Sequence, residues 1–101
     1  MDKLREIEFT DAAEVESLDI GVIVQLASAL EPIPLAIPPQ VGHMYHGDLM
    51  GLLLALEVDV EMAQLIMYHN DYASSSSYTE EDSTIEVFNI TEYKEELDNI
   101  L

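Results

Sequence analysis

The sequence predicts a mainly α-helical domain with a small β element: an α+β fold of three to four helices and one two-stranded pairing. Apolar residues recur at three- to four-residue spacing in three separate stretches, which is typical of amphipathic helices. A further stretch, residues 84–90, is rich in β-branched residues and predicts a strand. Hydrophobic residues make up 49% of the 101 residues, enough for a core and too many for a disordered acidic chain. We therefore expect one domain over residues 1–101.

The first third of the chain predicts a strand followed by a helix. Residues 4–9 alternate imperfectly between apolar and charged side chains and predict a short edge strand. Asp11, or the threonine before it, has the features of a helix N-cap, and Glu14 follows three residues later as in a capping box. The apolar periodicity that follows predicts a helix over residues 11–30, which Gly21 could divide into two pieces.

Residues 31–39 contain four prolines, which exclude a regular helix because they remove backbone donors and fix φ. We expect an extended, polyproline-like connector. Its apolar side chains, Ile33, Leu35 and Ile37, are expected to lie over the core.

The middle of the chain predicts a helical hairpin. Asp48 opens a helix over residues 48–56 that is apolar nearly all round and is therefore expected to be buried. Residues 56–62 alternate between apolar and acidic side chains, so both a strand and a turn fit them. The turn is favoured because helical periodicity continues for ten residues after Asp59. In that interpretation Asp59 caps a helix with an apolar stripe of Val60, Ala63, Ile66 and Met67.

The last third predicts a loop, a strand and a helix. Residues 73–83 are rich in serine and acidic residues and predict a mobile loop. The strand over residues 84–90 is expected to pair with residues 4–9. Thr91 is expected to cap the final helix, which would turn three side chains inward: Tyr93, Leu97 and Leu101.

The charge of the chain is its most unusual property. Twenty-one acidic side chains face three basic ones, a formal net charge of −18, and residues 6–93 contain neither Lys nor Arg. Like charges on one compact surface repel each other and oppose folding, so we expect a functional reason. A strongly basic partner, most often a protein that handles nucleic acid, is the reason we favour. Adaptation to high salt is disfavoured because the chain keeps a Leu- and Ile-rich interior and prefers Glu to Asp.

Several classes of function are disfavoured by composition. The chain has no cysteine, which excludes disulfides, thiolate nucleophiles and Cys-based zinc sites. Its longest apolar run is far shorter than the roughly 20 residues that a membrane helix needs, and its first residues lack the layout of a signal peptide. Anionic membrane surfaces and nucleic acid phosphates would both repel it. We expect a soluble cytoplasmic protein, in the host cell if a phage encodes it, with no direct nucleic acid binding.

The stretch from Leu52 to Met67 resembles a helix-turn-helix. Residues 56–59, Leu-Glu-Val-Asp, stand where such motifs often have Leu-Gly-Val-Ser. The would-be recognition helix holds Glu61 and neither Lys nor Arg, which a helix that approaches phosphates needs. We therefore interpret the hairpin as core architecture.

The histidines are the candidates for metal binding and for catalysis. His43, His46 and Asp48 form a short cluster that His69 could approach, and imidazole and carboxylate bind zinc or manganese. The spacing is generic, and neither a Ser–His–Asp order nor a Gly-rich phosphate loop accompanies it. The acidic runs 57–61 and 80–82 lack the six-oxygen loop of a calcium site. We expect no metal, no cofactor and no enzymatic activity.

The leading hypothesis is a binding protein that mimics the charge of nucleic acid. Carboxylates on alternate residues of a strand are about 6.6 Å apart, and those three or four residues apart on a helix about 5–6 Å. Both spacings are near that of phosphates along one strand of DNA. In size and charge the chain resembles the DNA-mimic proteins with which phages inhibit restriction or CRISPR enzymes. The predicted partner-binding residues are the acids Asp11, Glu14, Glu57, Asp59, Glu61, Glu80, Glu81, Asp82, Glu92, Glu95 and Glu96.

Other interpretations compete with mimicry. An adaptor or immunity-type protein would cap one basic protein through aromatic and apolar anchors, for which the candidates are Met44, Tyr45, Tyr68 and Tyr72. Residues 85–88 could add as a strand to the sheet edge of a partner, although internal pairing is favoured. The apolar surplus also allows an assembly component that forms homo-oligomers, of which a homodimer is the simplest.

Overall fold

Five α-helices surround a two-stranded antiparallel sheet in residues 18–101, the part of the chain that this computed structural model describes. The expected α+β class is confirmed. The predicted strand at 4–9 and the first part of the predicted helix, with Asp11 and Glu14, lie outside the described residues.

Helix α1 spans Ile20–Ala29. It begins there because the carboxylate of Asp19 accepts a hydrogen bond of 3.0 Å from the N–H of Gly21, which satisfies a free donor of the first turn. Leu18 and Asp19 are not helical. The predicted helix over 11–30 is therefore wrong at these two residues and at Leu30, and Gly21, which could have divided it, lies inside α1.

Strand β1 spans Ile33–Ala36 and corrects the prediction of a polyproline-like connector. It pairs antiparallel with strand β2, which spans Thr84–Val87, so that Ile33 lies opposite Val87 and Pro34 opposite Glu86. The main chain of Glu86 bonds away from β1, to the side chain of Asn70. Because no ladder donor is needed opposite Glu86, a proline fits there.

The residues that flank β1 also differ in part from the predicted connector. Helix α2, Pro39–Met44, begins with proline at its first position, where the missing N–H costs nothing. Ile37 is buried and Leu35 packs partly against the core, as expected. Ile33 is 44% exposed, contrary to the expectation that it covers the core.

Helix α3 spans Leu49–Ala55, and Asp48 caps it as predicted by accepting a hydrogen bond of 3.0 Å from the N–H of Gly51. Leu49, Leu52 and Leu53 are buried. The helix is not buried all round, however, because Leu54 is 60% exposed.

The turn after α3 is the one that the sequence favoured over a strand. Asp59 accepts a hydrogen bond of 2.9 Å from the N–H of Glu61 and opens a 3₁₀ turn over Val60–Met62. Helix α4, Ala63–His69, continues from that turn. The predicted helical hairpin is present, but Asp59 caps the 3₁₀ turn that leads into α4 and not α4 itself.

The last helix, α5, spans Ile90–Ile100. Its cap is Asn89, whose side chain accepts a hydrogen bond of 3.0 Å from the N–H of Glu92. The predicted cap at Thr91 is therefore wrong, and β2 is shorter than predicted because its pairing with β1 ends at Val87. Tyr93 is buried and Leu97 partly buried as expected, but Leu101 is 77% exposed.

The loop between α4 and β2 is tied to the core at its centre. It contains a 3₁₀ turn over Ser75–Ser77, and the hydroxyl of Ser75 accepts a hydrogen bond of 3.0 Å from the N–H of Met50. Tyr78 is fully buried. The mobility predicted for residues 73–83 stays a prediction.

One hydrophobic core lies between the sheet and the helices, with α1 packed against α4 and α5. None of the helices in residues 18–101 has the length and apolar character that crossing a bilayer requires.

Candidate functional site

Nine of the predicted partner-binding acids lie in residues 18–101, where they are distributed over two loops and one helix. Glu57, Asp59 and Glu61 lie on the turn between α3 and α4, and we call them the turn cluster. A second group lies before β2, and we call it the loop cluster: Glu80, Glu81 and Asp82. The remaining described members, Glu92, Glu95 and Glu96, lie on α5.

Helix α5 is joined to the turn cluster through Glu61. The hydroxyl of Tyr93 donates a hydrogen bond of 3.2 Å to the main-chain oxygen of Glu61. The ammonium of Lys94 lies 3.9 Å from the Glu61 carboxylate. Both side chains of that ion pair are about half exposed, so the pair contributes little.

Charge compensation is nearly absent from this surface. Residues 18–101 contain fifteen acidic side chains, and Lys94 is their single Lys or Arg. Within that part of the chain, the carboxylates that have side-chain partners contact mainly histidine and tyrosine. The surface therefore presents uncompensated negative charge to any partner.

An apolar groove of about 420 Å³ opens beside the turn cluster. Three of the residues that line it are buried: Met62, Val87 and Phe88. Two of the acids, Glu57 and Asp59, line it as well. The more exposed apolar residues that line the groove are Leu54, Val58 and Ile90.

Glu57, which lines the groove, has an energetically unfavourable backbone conformation. Its φ is +62°, in the left-handed region where the Cβ of an L-residue crowds the backbone, a cost of about 1–2 kcal/mol. It stands where helix-turn-helix motifs often have glycine, for which this conformation carries no such cost. The carboxylate is therefore placed beside the groove by a strained residue.

The loop cluster contacts two of the four candidate metal ligands. Nδ1 of His43 lies 3.1 Å from Oε1 of Glu80, and Nδ1 of His46 accepts a hydrogen bond of 3.2 Å from the Glu80 N–H. Asp48 caps α3 instead of joining them. His43 and His46 thus both contact Glu80, the first through its carboxylate and the second through its main-chain N–H, and the sequence did not indicate this partner.

The fourth candidate ligand, His69, belongs to a separate cluster. Its Nε2 lies 2.5 Å from Oε1 of Glu86, and its ring meets Phe88 edge-on at 5.4 Å between centroids. In residues 18–101, no three His, Cys, Asp or Glu side chains come together so that they could hold a metal ion. Sequence reasoning missed Glu86, because its partner is fixed only when β2 packs beside α4.

Three tyrosines border the acidic groups. The hydroxyl of Tyr72 donates a hydrogen bond of 2.8 Å to Asp82, and burial followed by this hydrogen bond raises the pKa of Tyr72. Burial also raises the pKa of Tyr78, with smaller contributions from Asp82 and Glu80. The pKa of Tyr93 is raised by burial and by the nearby turn cluster.

The alternative anchors differ in what they offer a partner. Met44 is 71% exposed and Tyr68 46% exposed, so both present apolar surface. Tyr45 is partly buried, and the hydroxyl of Tyr72 is already engaged by Asp82.

Addition of residues 85–88 to the sheet of a partner meets a structural obstacle. One edge of β2 is paired with β1. On the other edge, the side-chain amide of Asn70 accepts from the Glu86 N–H at 3.0 Å and donates to the Glu86 oxygen at 2.8 Å. An added strand would have to displace both bonds.

No protein-family model, curated protein or solved structure matches the chain. The chemistry of this surface is therefore what indicates a function.

Proposed function

We propose that this chain is a small cytoplasmic binding protein that inhibits a nucleic-acid-handling protein by occupying its basic surface. One observation carries the proposal: fifteen acidic side chains and a single basic one in residues 18–101. Such a surface attracts Lys- and Arg-rich sites and repels nucleic acid itself. Inhibitors of restriction or CRISPR enzymes, which the chain resembles in size and charge, are the class that we favour.

The mechanism is competition for one basic surface. Carboxylates three or four residues apart on a helix, such as Glu92, Glu95 and Glu96 on α5, have the short spacing that a phosphate-binding channel accepts. Binding would release the same counterions that nucleic acid releases. Affinity should therefore fall steeply between about 50 and 500 mM NaCl, because exposed charges are screened at high salt.

An adaptor is the second candidate function. The exposed apolar side chains Met44, Leu54 and Tyr68 favour it, because apolar anchors dominate the energetics of most protein interfaces. An adaptor would bind alongside the nucleic acid, and its affinity would depend weakly on salt.

Competition separates the two functions. The partner is captured from a lysate of the cells that contain this protein, purified, and mixed with its own nucleic acid and increasing amounts of this chain. Mimicry predicts displacement of the nucleic acid. A stable complex that holds protein, partner and nucleic acid together at full occupancy would contradict mimicry and support the adaptor.

Charge reversal then tests the acids. The first variant combines Glu57→Lys, Asp59→Asn and Glu61→Lys, where asparagine keeps the helix cap at residue 59. The second variant, Glu80→Lys, Glu81→Lys and Asp82→Asn, tests the loop cluster; it changes the formal charge by the same amount and keeps an acceptor for Tyr72. Each single change should cost only about 0–1 kcal/mol. The combined change that faces the partner should abolish inhibition, and full inhibition by both variants would contradict the proposal.

A further inference from the structure

We propose that the groove beside the turn cluster is a docking site for a basic segment of a partner protein. It would take one aliphatic or aromatic side chain flanked by Lys or Arg. The inference rests on the proposed function only in that the partner is basic. It adds where on this chain the partner docks and which chemistry the docked segment carries.

The inner surface of the groove is suited to an apolar side chain. Met62, Val87 and Phe88 line it and are only 2%, 8% and 4% exposed, so the core holds these apolar residues in place beside the groove. Leu54, at the end of α3, is 60% exposed. An inserted side chain would remove Leu54 from water, and burial of apolar surface is the main favourable contribution to such association.

The carboxylates beside the groove select the charge of the occupant. Glu57 and Asp59 line it, and neither Lys nor Arg does. Lys94, the one such side chain in residues 18–101, lies by Glu61 and not in the groove. Nucleic acid and anionic lipid headgroups would be repelled here, whereas Lys and Arg on either side of a buried side chain would meet carboxylates.

The test uses two peptides that differ only in apolar content. The probe is Lys-Lys-Ser-Lys-Phe-Lys-Lys, and the control replaces its Phe by Ser at the same charge. Methyl and amide NMR spectra of the full-length protein are recorded during titration with each peptide. We expect the probe to bind about tenfold more tightly than the control, with the largest methyl shifts at Leu54, Val58 and Ile90.

Two variants locate the binding. Leu54→Ser should weaken binding of the probe peptide about tenfold and leave the control peptide unaffected. Met44→Ser is the matched control, because Met44 is also an exposed apolar residue on a helix but does not line the groove. It should change neither affinity.

The outcomes separate this inference from the proposed function. Equal, salt-sensitive binding of both peptides would overturn the groove and leave charge recognition intact. If neither peptide bound at low salt, both proposals would be contradicted. Nuclear Overhauser contacts from Leu54 to residues 1–17 or to a second copy of the chain, without peptide, would show that another occupant fills the groove and would overturn the inference.

Discussion

Tyr78 buries a hydroxyl group for which no described residue provides a hydrogen-bond partner. The other two tyrosines with raised pKa values donate hydrogen bonds, Tyr72 to Asp82 and Tyr93 to the oxygen of Glu61. A buried polar group without a partner costs about 1–3 kcal/mol, whereas a satisfied one contributes about 1 kcal/mol. Chemically identical hydroxyls therefore have opposite effects on stability.

Replacement of Tyr78 by phenylalanine should accordingly stabilise the protein. We expect Tyr78→Phe to raise the free energy of unfolding by about 1 kcal/mol, because the unpaired hydroxyl no longer has to leave water. Urea denaturation followed by circular dichroism measures the change. Tyr93→Phe is the control and should lower stability by about 1 kcal/mol. Equal losses in the two variants would show that the hydroxyl of Tyr78 has a partner.

The same hydroxyl limits what residue 42 can be. A Cβ at Gly42 would lie 2.9 Å from the Tyr78 oxygen, which is too close. Gly42→Ala should therefore cost about 1–3 kcal/mol alone and much less when combined with Tyr78→Phe. A double-mutant cycle without coupling would contradict this contact.

The raised pKa values of Tyr72, Tyr78 and Tyr93 also predict how stability depends on pH. In the unfolded chain these tyrosines ionise near pH 10, while in the folded state their raised pKa values keep them protonated to a higher pH. Above about pH 10 the folded state thus binds more protons, so the free energy of unfolding falls as pH rises, and the full contribution is present below pH 10. Urea midpoints between about pH 8 and 11.5 test this. A Tyr93→Phe variant should show a shallower fall, and a constant midpoint would contradict the prediction.

At the scale of elements, the side chain of Asn70 makes the main-chain hydrogen bonds that a neighbouring strand would otherwise make with Glu86. That side chain occupies both hydrogen-bonding groups of Glu86 and also donates to the oxygen of Ile66 at 2.8 Å. Exposed sheet edges template association with other chains, and native proteins block them. Here a single amide covers the free edge of β2 and ties it to the end of α4.

Loss of that amide should destabilise the sheet. Asn70→Ala is expected to cost about 2 kcal/mol, because the N–H and C=O of Glu86 lose their partners. It should also increase self-association at high concentration, since the β2 edge becomes available. Thermal denaturation and sedimentation measure the two effects, with the exposed Asn99→Ala on α5 as control. An Asn70→Ala variant as stable and monomeric as that control would contradict the assignment.

Sequence patterns predicted the elements whose signals are local. The caps at Asp48 and Asp59 are side chain to main chain contacts within three residues, so spacing alone located α3 and the turn. Strand β1 was missed because its prolines match a polyproline segment until a partner strand is known. The cap of α5 is Asn89 and not Thr91 because β2 ends at Val87. The end of β2 depends on its pairing with β1, which the sequence alone does not reveal.

The site was less predictable than the fold. Every acidic residue carries the same charge, so charge alone makes each of them an equal candidate for partner binding. The sequence does not distinguish Glu57, which lines the groove, from Glu81, which does not. Which acidic residues lie close together depends on which loops are neighbours in the folded structure. The exposure of Leu54 could not be predicted either, because α3 contains no polar residue that would indicate its exposed face.

At the scale of the molecule, self-repulsion should make stability depend on salt. With a net charge of −18, added NaCl screens repulsion among carboxylates. We expect the free energy of unfolding in urea to rise by on the order of 1 kcal/mol between about 10 and 300 mM NaCl, with the protein still folded at the low end. Replacement of Glu92, Glu95 and Glu96 by glutamine should reduce this dependence. A chain that unfolds in dilute buffer would instead indicate adaptation to high salt.

Cleavage by trypsin at Lys94 can be used to measure local unfolding of α5. Trypsin cleaves after Lys and Arg, and residues 6–93 contain neither, so Lys94 is the single target beyond the first five residues. Its side chain is 58% exposed, yet it lies within α5, directly after the buried Tyr93. Proteases act on segments that unfold locally. The rate of tryptic cleavage at Lys94 therefore measures how often the last helix detaches, in the unmodified protein and without any label.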